Sequence, residues 1–207
     1  MVVVVLVSIL AVLAIPNLQT AREDRLAFRT ADGFARVIHA ANTRAQGRGA
    51  AQLVLITTNG TLDRGIVTSF ESLDPQGRPV SGCKNNAEWA GVPAGSVQNP
   101  IIEAADTNQG ANSLQVTAGL ESNLAVTFPP AATGSDKAAA VCFTPGGRVY
   151  VTLAATAAAA ITAMETALPF TGDLVLEVVR KPLGVAPVGL RRRVIMSSSG
   201  GTRIHSI

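Results

Sequence analysis

At 207 residues the chain can hold one domain of ordinary size plus an extension. Hydrophobic residues make up 47% and charged residues 15%, so the chain is apolar even for a folded protein and is not a charge-solvated disordered segment. The net charge of +3 does not by itself mark a polyanion binder. The basic residues are nevertheless uneven: beyond Val175 stand Arg180, Lys181, Arg191, Arg192, Arg193 and Arg203 against Glu177 alone. A solvated or lipid-facing face accounts for this asymmetry more readily than specific nucleic-acid binding does.

From Met1 to Pro16 nothing is charged, and Arg22, Glu23, Asp24 and Arg25 follow soon after. A secretory signal has a basic start and a small-residue cleavage site, and neither is present here. A membrane-spanning helix needs about 20 apolar residues. The run has about fifteen, or roughly 23 Å of helix. Its shortness is best explained by residues lost upstream. Valine and isoleucine do not argue against helix, because a lone segment in lipid must satisfy its own backbone. Pro16 removes one intrahelical hydrogen bond and predicts a bend.

The helix is expected to continue to about residue 47. Ala27, Phe34, Ile38, Ala41 and Ala45 recur at helical spacing with Ala31 and Val37 beside them, while Arg22, Glu23, Arg29, Arg36 and Arg44 take other faces. Gln46 to Gly49 ends it. A strand follows over Gln52 to Thr58, closed by Asn59-Gly60, with Ile66 to Phe70 returning beside it. Residues 72–112 are rich in Gly, Pro, Asn, Ser and Asp and read as a long irregular insertion. Further strands are expected over Ser113 to Val116 and Leu124 to Phe128. Ala139 to Thr144 and Arg148 to Leu153 form a hairpin around Pro145-Gly146-Gly147. Strands over Leu174 to Val179 and Arg192 to Met196 lead into Gly200-Gly201 and a closing segment from Thr202 to His205. Cys83 and Cys142 match no metal-ligand spacing. With an export-type N-terminus they read as a single disulfide, two buried free thiols being the alternative.

The opening run, with its valines and Ala14-Ile15-Pro16, resembles the N-terminal helix of type IV pilins and pseudopilins from a position inside that helix onward. The family's leader, cleavage glycine and first Phe and Glu are absent. Val141 to Arg148 is similar to the Phe-x-Pro-x-Gly hairpin of H-type pseudopilins and FimT-like or FimU-like minor pilins, and Arg193 to Ile204 is similar to their last hairpin. The likeness covers residues 1–57 and 124–207. It implies an α+β, pilin-like fold: a long N-terminal helix (1–47), its first part (1–16) in the membrane or filament core, packed on an antiparallel β domain (48–207). It implies a single-pass protein of the bacterial inner membrane with its domain in the periplasm, moving into a pilus or type II secretion pseudopilus on assembly. The partners would be other pilin or pseudopilin subunits, the inner membrane and a prepilin peptidase, with N-methylation of the processed end. Leu6, Leu10, Leu13 and Pro16 would pack in that filament.

No catalytic site can be assembled from the sequence. His39 and His205 are the only histidines, Ser197 to Ser199 has no evident base, and neither Gly-Gly pair opens a phosphate loop. An enzyme is not expected, nor a cofactor or metal. FimT-like members bind DNA through Gly-Arg-x-Arg, and the matching positions are Gly200, Gly201, Thr202 and Arg203, so the first arginine is missing. Arg191, Arg192 and Arg193 stand on the strand before it and can supply charge to phosphates. Alternation puts Arg191 and Arg193 on one face and Arg192 on the other. The first expectation is an assembly subunit that helps initiate or cap a filament; the alternative is a DNA-binding minor pilin.

Overall fold

The computed structural model describes residues 24–25, 28–29, 31–59, 64–74, 76–84, 99–103, 112–121, 137–182 and 188–206. Within them the fold is α+β, with antiparallel sheets and a few helices. The apolar run with Leu6, Leu10, Leu13 and Pro16, and the strand expected over Leu124 to Phe128, lie outside the described residues. Among the described residues no helix is long and apolar enough to cross a membrane.

Helix α1 covers residues 31–48, and residues 24–25 and 28–29 are helical as well. Ala31, Phe34, Ile38, Ala41 and Ala45 step by three and four along one side of it, and all are buried. Gly49 ends the helix at φ 68°, the left-handed conformation that glycine adopts without a Cβ penalty. At this end Arg48 pairs with the buried Glu71 of the sheet, Nε to Oε1 2.9 Å, and ties the helix terminus to it.

The first sheet runs in the order β3–β2–β1–β5–β6, formed by Asn99–Glu103, Arg64–Glu71, Gln52–Asn59, Lys137–Phe143 and Val149–Ala154. Leu53 to Ile56 is apolar without alternation because both faces of β1 are covered. Val54, Ile56, Ala139, Val141 and Phe143 face α1. Leu53, Leu55, Ala138, Ala140 and Cys142 face the opposite way, beneath Ala160, Ile161 and Met164. Those three residues belong to α2 (Ala157–Ala163) and the 3-10 turn after it (Met164–Thr166). Thr156 caps α2, its Oγ1 accepting from the Ala159 N–H at 3.1 Å. Thr152 Oγ1 donates to the Ala160 carbonyl at 2.7 Å and joins the helix to β6.

The second sheet has the order β4–β7–β8–β9, formed by Asn112–Glu121, Asp173–Pro182, Val188–Met196 and Thr202–Ser206. Leu174, Leu176, Val178, Val194 and Met196 point inward and join the α1 stripe in one core cluster with the first sheet. One helix thus covers the inner faces of two sheets. Its direction follows β8: Asp24 meets Leu190, Phe28 meets Arg192, and Asn42 reaches Ser199.

Residues 72–112 are not wholly irregular, and the expectation is corrected there. Asn99–Glu103 pairs with β2 across a bulge, Leu73 bridges Pro79, and β4 starts at Asn112. The alanine-rich stretch after Thr156 forms α2, an element that its composition alone left unassigned.

Candidate functional site

Cys83 and Cys142 form a disulfide, with 6.0 Å between their Cα atoms and 59 residues between them in sequence. Both are buried on the face of the first sheet that lies away from α1. The segment that brings Cys83 there adds its own backbone hydrogen bonds: Ala51 N–H to the Val80 carbonyl at 2.7 Å, and Val80 N–H to the Ser72 carbonyl at 3.0 Å. Lys84 then lies over the Tyr150 ring, 5.8 Å from its centroid.

The four candidate arginines do not form one group. Arg191 and Arg193 share the outer face of the second sheet, as alternation requires, and both reach Glu177. Arg191 Nη1 lies 3.2 Å from Oε1 and Arg193 Nε 2.9 Å from Oε2, so a single carboxylate holds two guanidinium groups. Register explains this: Glu177 is directly opposite Arg193. Arg203, opposite Ile195 on β9, reaches Asp173 at 3.7 Å. These ion pairs join three arginines to two carboxylates on the outer face. Arg191 and Arg203 remain 52% and 65% exposed. Ion pairs this open to solvent hold side chains in place more than they stabilise the fold.

Arg192 points to the inner face, at the end of the sheet where α1 begins. It lies over the Phe28 ring, 5.7 Å from the centroid, and its Nη1 donates to Ser206 Oγ. Asp24, Arg25, Phe28, Arg29 and Arg192 line an open recess of about 400 Å³ there. Alternation separates Arg192 from its neighbours, but its pairing with a residue 164 positions earlier follows only from how α1 lies along β8.

The remaining polar candidates stay apart. His39 and His205 are both exposed, on α1 and β9. Ser197 and Ser199 bond to one another at 2.9 Å inside the last hairpin turn. Among the described residues no group of three or more His, Cys, Asp or Glu is placed to hold a metal ion.

Three turns repeat one geometry. Asp74, Thr144 and Ser197 each donate N–H to the carbonyl four residues on, and each accepts from the N–H of a glycine three residues on. Those glycines, Gly77, Gly147 and Gly200, have φ of 76°, 78° and 78°. Only the last abuts α1. A Cβ on Gly200 would come within 2.7 Å of Asn42 Nδ2 and 3.0 Å of Phe143 Cε1, whereas one on Gly147 meets open space. The C-terminal hairpin is thus seated on the helix through a glycine.

Comparison of the chain with models of protein families, with curated proteins and with solved structures finds no match.

Proposed function

We propose that the chain is a minor pilin or pseudopilin, a structural subunit that helps initiate or cap a type IV pilus or type II secretion pseudopilus. One observation carries the reading. Downstream of an uncharged apolar run and Pro16, a helix has its apolar side fully occupied by two antiparallel sheets. A helix whose domain end is already covered gains nothing more from that domain at its other end, so the apolar run needs a second environment. Lipid provides it before assembly, and the same helices of neighbouring subunits provide it afterwards. Moving Leu6, Leu10 and Leu13 from lipid to protein costs little hydrophobic energy, because both surroundings are apolar. The function is packing. The test is to read the coding sequence upstream of Met1. An in-frame Gly-Phe-Thr-Leu-Ile-Glu is expected there, and its absence contradicts the proposal.

A second reading, DNA binding by the C-terminal hairpin, draws on Arg191, Arg193 and Arg203 sharing one face. Against it stand Glu177 and Asp173, with which a phosphate must compete for those guanidiniums. If DNA binds there, replacing the three arginines with alanine together should abolish a low-salt mobility shift of the chain. An unchanged shift excludes this face.

A further inference from the structure

The recess at the start of α1 combines two chemistries. Arg25, Arg29 and Arg192 against Asp24 leave a surplus of two positive charges in its lining. Asp24 is partly engaged, accepting from the Leu190 N–H at 3.4 Å. Arg192 is held by the Phe28 ring and Ser206, while its Nε is buried and has no hydrogen-bond partner among the described residues. Beside these charges stand Phe28 and Leu190, each 46% exposed, two of the three large hydrophobic side chains that the described residues leave open to solvent. A soluble polyanion would use the arginines and leave the two apolar groups in water. A bilayer interface uses both, since guanidinium groups fork onto phosphodiesters and apolar side chains enter the headgroup boundary. This end is also nearest in sequence to the apolar run, Pro16 standing eight residues before Asp24.

We propose that this end of the domain docks on an anionic phospholipid surface, with a lipid phosphodiester held by Arg25, Arg29 and Arg192. The proposal rests on the reading that residues 1–16 sit in a bilayer, and the test separates the two. The full chain carrying Trp89→Phe and Phe28→Trp, which keeps an aromatic ring under Arg192, is reconstituted with phosphatidylcholine vesicles. Vesicles with and without phosphatidylglycerol are compared, both containing lipid brominated near the headgroup. Flotation reports anchoring, and bromine quenching of the introduced tryptophan reports docking. Stronger quenching is expected with phosphatidylglycerol, and Arg25→Gln, Arg29→Gln and Arg192→Gln are each expected to lower the docked-to-undocked ratio about fivefold. The Cys83–Cys142 disulfide, followed by mass, checks that each variant is folded. Flotation without a phosphatidylglycerol contrast, or quenching indifferent to all three substitutions, overturns the docking proposal alone. Failure to float overturns both readings. Binding of double-stranded DNA through the same arginines, with no lipid contrast, assigns the recess to nucleic acid and also overturns it.

Discussion

Replacing Cys83 and Cys142 together with alanine is expected to lower the stability of the domain by about 4 kcal/mol, the chain-entropy value for a loop of this length. That value is the freedom the unfolded chain regains to separate residues 59 positions apart. In the native state the disulfide holds the segment ending in Cys83 on a face of β5 that, among the described residues, α2 and the turn after it also cover. For a domain of this size the melting midpoint should fall by about 8 to 16 °C. Urea titration of the oxidised and variant chains measures the difference. A loss under about 1 kcal/mol would mean that the backbone bonds from Ala51 to Val80 and from Val80 to Ser72 hold the segment unaided. Both sulfurs are buried, so reductant alone should act slowly until denaturant opens the sheet.

Gly200→Ala is expected to cost about 2 to 4 kcal/mol, and Gly147→Ala only about 1 to 2. The two glycines occupy the same position in the same kind of turn at the same φ of 78°, so the backbone strain imposed by a Cβ is equal. Surroundings make the difference. The new methyl at Gly200 would press on Asn42 Nδ2, the mobile end of a side chain, and on Phe143 Cε1, part of a ring that is fully buried. Asn42 can turn aside; the Phe143 ring has nowhere to go in a close-packed core. Denaturation midpoints of the two variants give the comparison directly. Equal losses would show that the last hairpin does not press on the Phe143 ring.

The elements that were legible in the sequence are those whose signals are local. Of the stripe with helical period, Phe34, Ile38, Ala41 and Ala45, with Ala31 and Val37 beside them, are buried, while Ala27 lies outside the described residues. Pro145-Gly146-Gly147 and Gly200-Gly201 mark hairpins by the need for a left-handed residue, and each turn holds one. Gln52 to Thr58 pairs with the stretch ending at Phe70 as expected. Elements that depend on distant partners were not legible. The strand Asn99–Glu103 is short and contains Pro100, which is tolerated because β3 lies at the sheet edge. Helix α2 is built largely of alanine, which shows no amphipathic pattern; its Thr156 cap was the available signal. The division into two sheets, which lets one helix cover both, follows from pairing order and not from any segment. At the candidate site, alternation predicted the separation of Arg192 from Arg191 and Arg193. The Glu177 fork needs the β7–β8 register, and the meeting of Arg192 with Phe28 needs the packed helix.

On the proposed function, the apolar run packs against the same run of other subunits in a filament while the described domain stands outside it. A photo-crosslinking side chain introduced at Leu10 in the native cell tests this most directly. Crosslinks are expected from Leu10 to the N-terminal helices of other pilin-type subunits in the membrane and sheared-filament fractions. Leu13→Arg is expected to abolish them while the Cys83–Cys142 disulfide still forms, because a charge cannot be buried unpaired in such a bundle. Crosslinks from Leu10 to lipid alone, or partners that persist when Leu13 is arginine, would contradict it.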